Sequence, residues 1–217
     1  MELKDWCWGH LKPLHYGVIS ADPGWKFKTY SDAGLGKAPK YTTMETRDIK
    51  KMPIMDLARP DAICAMWVTD PFLDQGLEVL DAWGFTFKTI LFYWVKTYDL
   101  FGTQSARLDL IQAALDTESY DALVDAMCPI IQSHWTRANP EICLLGTHGA
   151  PLRLSGGIRK TIFAPQREHS RKPDEALERL EQLCAGPYVE LNSRTNRPGW
   201  DAWGDQTGFF DEEEIGK

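Results

Sequence analysis

Six short apolar runs stand out along the chain: Tyr16–Ser20, Ala62–Val68, Phe85–Val95, Ile142–Leu145, Ile162–Ala164 and Tyr188–Leu191. Runs of this length, with few polar interruptions, are what strands covered on both faces require. Between several of them the apolar period becomes helical. Pro71 suits a first helical position after the caps Thr69 and Asp70, and Leu73, Leu77, Leu80 and Trp83 then recur at helical spacing. A second helix follows Pro173, with Ala176, Leu177, Leu180 and Leu183 as its buried stripe. Strands alternating with helices predict an α/β fold, a mostly parallel sheet with helices on both faces. Such sheets bind ligands at the carboxyl ends of their strands. A length of 217 residues favours a single domain over 1–217.

Three segments depart from this alternation. Residues 26–43 offer turn chemistry and no apolar period, and so predict a long loop. Residues 101–127 read as two short amphipathic helices, with Leu108, Ile111, Ala114 and Leu115 on the first and Leu123, Val124 and Met127 on the second. They make 98–133 a helical insertion. The end of the chain, 207–217, is an acidic tail.

The net charge of −7 argues at first against a polyanionic substrate. Its distribution changes the picture, because 98–133 and 201–217 each carry a net −5 and leave +3 for the remainder. Ordinary solvated side chains and a weakly basic binding face both fit that remainder. The five cysteines are widely spaced, with no C-x-x-C pair, which favours reduced thiols over a zinc set or a disulfide framework. The N-terminus carries charges at Glu2, Lys4 and Asp5, and no run of eighteen apolar residues occurs. A cytoplasmic protein with no membrane association is expected.

Candidate chemistry begins where the first run ends, at Asp22-Pro23-Gly24-Trp25. An exocyclic amine on an aromatic ring is a poor nucleophile, because its lone pair is delocalised. A catalyst for its alkylation should therefore hold both N–H groups with acceptors, and the Asp22 carboxylate and the Pro23 carbonyl are two. Trp25 could stack on the base or lie against a methylsulfonium as a cation–π partner. No metal is required, since positioning and electrostatics suffice for an activated methyl. The same four residues also describe a plain turn with Trp25 in the core.

Eight further segments distinguish these readings, in this order: ADPGWKF (21–27), YTTM (41–44), MWVTDP (66–71), AWGF (82–85), WVKT (94–97), HWTRANPEICLLGTHGAP (134–151), APQREHSRKPDE (164–175) and GPYVELNSR (186–194). From about Tyr16 to Gln206 the chain resembles the family of the eukaryotic mRNA N6-adenosine methyltransferase and its short phage and bacterial relatives. The resemblance implies a Rossmann-like methyltransferase domain, S-adenosylmethionine as cofactor, and methyl transfer to adenine N6 in nucleic acid. It implies that Asp22, Pro23, Gly24 and Trp25 form the catalytic corner. Lys172 then matches a lysine suited to the methionine carboxylate at a helix start. Glu190 and Arg194 follow the last parallel strand, where ribose hydroxyls would be met, and Asn196, Asp205 and Gln206 match polar residues around the cofactor. Tyr41, with Lys26 and Lys28, would serve the substrate.

The chain departs from the family pattern in three places. Gly24 replaces the second proline of Asp-Pro-Pro-Trp, adding an N–H and a freer φ. Asn192-Ser193 replaces the usual Phe and small residue after Glu-Leu. Residues 98–133 replace a shorter, base-rich loop that faces a partner subunit in the eukaryotic enzyme. The expectation is thus an adenine N6-methyltransferase of bacterial or phage origin, acting on DNA by preference with RNA possible. A homodimer or a heteromeric partner through 98–133 is a further expectation. A catalytically silent subunit that binds nucleic acid or a catalytic partner is the alternative, and methylation of a small-molecule or protein amine is a third reading.

Overall fold

A computed structural model describes residues 6–26, 42–99, 102–116, 119–132, 135–168 and 171–211. The strands are β1 (Tyr16–Ala21), β2 (Ala58–Val68), β3 (Thr86–Thr97), β4 (Ile131–Gln132), β5 (Arg137–Ala138), β6 (Glu141–His148), β7 (Thr161–Pro165), β8 (Tyr188–Leu191) and β9 (Trp200–Trp203). Helices are α1 (Thr46–Ile49), α2 (Leu73–Ala82), α3 (Gln104–Asp116), α4 (Tyr120–Met127) and α5 (Asp174–Leu183). Seven strands form one sheet in the order β7-β3-β6-β2-β1-β8-β9, and β4 pairs with β5 in a separate hairpin.

All six predicted strands are present, and the sheet is mostly parallel. β1 runs parallel to β2 and β8, β8 to β9, and β3 to β7. β6 is antiparallel to both neighbours, β2 and β3. Its first residue, Glu141, therefore lies at the sheet edge where the other strands end. Neither this reversal nor β9 is visible in the apolar runs. β9 is an edge strand interrupted by Asp201, whose carboxylate accepts a 2.6 Å hydrogen bond from Tyr16 on β1.

Strand alternation distributes the core over two faces. On β2, Ala62, Cys64, Met66 and Val68 join one cluster, while Ile63, Ala65 and Trp67 join the other. α2 covers the first face with Val79, Leu80 and Trp83, and α5 covers the second with the predicted stripe Ala176, Leu177, Leu180 and Leu183. A Cβ at Gly76 would lie 3.0 Å from Val68 Cγ2, so the missing side chain lets α2 approach the sheet closely. Pro71 lies in a short 3-10 turn, Asp70–Phe72, ahead of α2, one turn earlier than the helix proper.

The insertion contains the two predicted helices. Thr103 Oγ1 accepts from Ala106 N at the start of α3, and Ser119 Oγ accepts from Ala122 N at the start of α4, both at 3.1 Å. Neither helix buries a residue, and Leu108, Ile111, Leu115, Tyr120 and Val124 are exposed. No helix among the described residues is long and apolar enough to cross a membrane. Most of the predicted loop 26–43 and the last residues of the acidic tail lie outside the described residues.

Candidate active site

The pocket lies where the carboxyl ends of β1, β2 and β8 meet the start of α5. Its lining includes Asp22, Trp67, Lys172, Glu190, Ser193 and Phe210. Asp22 continues β1, its N–H donating to Leu191 O at 3.3 Å. Val18 packs on the α5 face and Ile19 on the α2 face, so the alternation that continues through Ser20 turns Asp22 toward α5. Its side chain remains 24% exposed, so a ligand in the pocket can reach it.

Lys172 is the link between Asp22 and the neighbouring strands. Its Nζ lies 2.8 Å from Asp22 Oδ2 and 3.3 Å from Glu141 Oε2, and Lys96 Nζ lies 2.6 Å from Glu141 Oε1. Four buried or partly buried charges thus alternate in sign across the strand ends. Burial opposes the charge on Lys172, but the two carboxylates outweigh it and raise the amine well above its ordinary value. Burial likewise raises Glu141, yet Lys172 and Lys96 overcome it and hold the carboxyl down at about 2. At Asp22 the balance goes the other way. Burial raises its pKa, and Lys172 offsets this only in part.

Local hydrogen bonds fix the two lysines. Arg167 donates to Lys172 O at 2.9 Å and to Asp174 Oδ2 at 2.8 Å, placing Lys172 immediately before α5. The Asn139 carboxamide accepts from Lys96 N at 2.9 Å and donates to Lys96 O at 2.8 Å. Removing one partner from such a buried chain typically costs about 3–5 kcal/mol. The exposed pair Lys26–Glu45, 2.8 Å apart, belongs to the class worth about 0–1 kcal/mol.

The predicted catalytic corner divides between the two faces of the sheet. The Pro23-Gly24 turn carries the chain across, and Trp25 is buried in the α2-side core, stacked on Phe72 at 5.4 Å between ring centroids. Its indole N–H donates to Trp67 O at 3.3 Å. Both faces of the strand end are therefore used, and Trp25 is a packed positioning residue here, not an open platform for a base. Trp67 lines the pocket, as Phe210 does, with Lys172 Nζ 5.7 Å from the Trp67 ring centroid. Pro23 O accepts from Trp25 N at 2.8 Å, leaving a second lone pair. Gly24 O accepts from Met44 N at 2.7 Å. Gly24 is not among the described glycines with positive φ, so its place in the turn does not depend on a left-handed backbone.

The other predicted residues fall into three groups. Lys172, Glu190 and Arg194 line the pocket with Asp22. Asn196, Asp205 and Gln206 do not: Asn196 is bonded to Asp211, and Asp205 Oδ2 accepts from Thr42 N at 3.3 Å. Lys26 is a surface residue paired with Glu45, whereas Lys28 and Tyr41 lie outside the described residues. Sequence reasoning missed Trp67, Glu141, Lys96, Arg171 and Phe210. Glu141 lies within the quoted ANPE segment, but its placement follows from the direction of β6, which an apolar run does not encode.

Glu190 is one of the pocket's three acids, with Asp22 and Asp174. Burial raises its pKa to about 7 from the usual 4.5, against the hydrogen bond from Ser193 Oγ at 2.7 Å. A cation beside a carboxylate, a second carboxylate and surrounding hydroxyl and amide groups suit a ligand with a carboxylate, an amine and a sugar diol. S-adenosylmethionine has that chemistry.

The MT-A70 family model matches residues 16–111 and 121–206. The chain belongs to the MT-A70 family. The unmatched stretch, 112–120, spans the junction of α3 and α4. A probable MT-A70-like N(6)-adenosine-methyltransferase of Oryza sativa subsp. japonica is 29% identical over 88% of this chain, and human METTL3, the N(6)-adenosine-methyltransferase catalytic subunit, 27% over 88%. This chain spans 23% and 28% of those two proteins, about a quarter of each. The type II methyltransferase M.MunI of Mycoplasma sp is 23% identical over 87% of this chain and 76% of its own length.

The raised pKa of Glu190 predicts a pH dependence of stability. Between 4.5 and about 7 the folded protein keeps a proton that the unfolded chain has lost, so stability falls as pH rises through that window. Glu190→Gln removes this contribution. Denaturation midpoints of the variant should gain on the wild type from about pH 5 to about pH 8, and parallel profiles would contradict the assignment.

Proposed function

We propose that this chain transfers a methyl group from S-adenosylmethionine to the N6 amine of adenine in nucleic acid, with DNA preferred. The observation that carries this reading is the convergence of Asp22, Lys172 and Glu190 in one pocket at the strand ends. The cofactor supplies a methyl group already activated on a sulfonium. The chain's own residues bind, orient and hold protons. Asp22 accepts an N–H of the target amine, and Pro23 O, with its second lone pair, accepts the other. Together they favour the pyramidal nitrogen over the planar one. Lys172 keeps the Asp22 carboxylate in place and presents its ammonium to the methionine carboxylate. Glu190, once ionised, accepts from the ribose hydroxyls. Trp67 provides the aromatic wall, and a duplex substrate would deliver its base by flipping.

The type II methyltransferase M.MunI, the one of the three relatives that this chain spans over most of its length, supports the methyltransferase reading. The Gly24 departure has a structural counterweight. The bond from Met44 N to Gly24 O and the Trp25–Met44 bridge fasten the turn that a second proline would stiffen. That fastening supports an active enzyme over a silent subunit. All five cysteines are free, four of them buried, in keeping with the cytoplasm of a bacterium or phage-infected host. The partner-binding role of 98–133 belongs to the same proposal, since Leu108, Ile111 and Leu115 of α3 and Tyr120 and Val124 of α4 stay exposed.

Labelled methyl transfer to unmethylated duplex DNA, followed by nucleoside analysis, should yield N6-methyladenine. Asp22→Ala should lower turnover about a hundred-fold or more with the fold retained. Unchanged turnover in that variant, or label on another base, would overturn the reading. Light scattering should show the wild type as more than a monomer, or as a stable complex with a partner, and excision of 100–130 should abolish that assembly. A wild type that stays monomeric, alone and with DNA, would remove the self-association version.

A further inference from the structure

The donor pocket has the right polar groups but too little room. Its free volume is about 40 Å³, against roughly 300–1,000 Å³ for sites that take a drug-sized ligand. Phe210 is a bulky side chain at the wall of this narrow space. It is 3% exposed, lines the pocket, and has the Arg171 and Arg194 guanidinium carbons 5.2 and 5.9 Å from its ring centroid. Phe210 lies beyond residue 206, where the family match ends. It is a feature of this chain and not of the matched pattern.

The segment that carries Phe210 is built as a strap. Its described residues, 204–211, contain no helix or strand, and Gly208 has φ +81°, a conformation that glycine adopts without steric strain. Phe210 N donates to Arg194 O at 3.1 Å, and the Asp211 carboxylate accepts from Asn196 N at 2.9 Å and from Asn196 Nδ2 at 2.6 Å. A second, independent observation fits the same picture. Asn196, Asp205 and Gln206, which the family resemblance assigns to the cofactor, all lie on or against this strap and outside the pocket lining.

We propose that Phe210 is a built-in occupant of the donor pocket. Its ring holds the space beside Arg171 and Arg194 that an adenosyl group needs. S-adenosylmethionine binds by displacing Phe210 together with residues 207–211. That movement releases Asn196 from Asp211 and frees its carboxamide for the donor. The chain thereby couples donor binding to an order change in its own strap, and Phe210 sets the donor affinity. This inference rests on the donor reading of the pocket.

Calorimetric titration of S-adenosylmethionine and S-adenosylhomocysteine into the full chain tests it. Displacing a buried phenyl ring weakens binding by about ten-fold to a hundred-fold, and Phe210→Ala should bind both ligands tighter by that factor. Asp211→Ala loosens the strap without altering the pocket, so it should also tighten binding, and it decides the matter if Phe210→Ala does not fold. Wild-type binding with unchanged or weaker binding in the variants would overturn the occupant role and leave the donor reading intact. Binding by none of the three chains would overturn the donor reading, and this inference with it.

Discussion

The site depends on one interaction, the alternation of charge from Asp22 through Lys172 and Glu141 to Lys96. None of these groups is stable alone at its depth, because desolvation of an unpaired ion costs several kcal/mol. Each is held charged by the next. The chain joins the end of β1, the end of β3, the start of β6 and the entry to α5, so it also fixes how these elements meet. Asp22 is the end of this series that opens to the pocket. Burial raises its pKa, and Glu141 adds to that, more than Lys172 and Arg194 lower it.

A strand end has two faces, and the Asp22-Pro23-Gly24-Trp25 corner uses both. Asp22 faces α5 and the pocket, whereas Trp25 crosses to the α2 side and packs on Phe72. The tetrapeptide therefore works as a positioned carboxylate anchored by a buried tryptophan. The Trp25 indole bond to Trp67 O couples that anchor to the backbone of an aromatic that lines the pocket. A motif contiguous in sequence is, in three dimensions, a carboxylate on the pocket side and a ring in the opposite core.

Much of the fold was legible because apolar periodicity reports burial on a sheet or a helix face. The six predicted strands, α2 and α5 carry that signal, and the two insertion helices carry the period without burying a residue. β9 escaped because Asp201 breaks its run, and α1 because four residues hold too little of a period. For the site, Asp22, Lys172, Glu190 and Arg194 were legible through local motifs at strand and helix ends. Glu141, Lys96 and Trp67 were not, because their roles depend on strand direction and on which face of the sheet they occupy. Phe210 comes from the far end of the chain, and no local pattern links it to Asp22.

If the four charges act as one unit, donor binding should not respond to Glu141 and Lys172 independently. The decisive measurement is a calorimetric double-mutant cycle for S-adenosylmethionine with wild type, Lys172→Met, Glu141→Gln and the double variant. Glu141 does not line the pocket, and its ion pair toward it is with Lys172. The account predicts that Glu141→Gln weakens binding in the wild-type background and has no further effect once Lys172 is replaced, a coupling of about 1 kcal/mol or more. Losses that simply add, or a Glu141→Gln variant that binds as the wild type does, would contradict it.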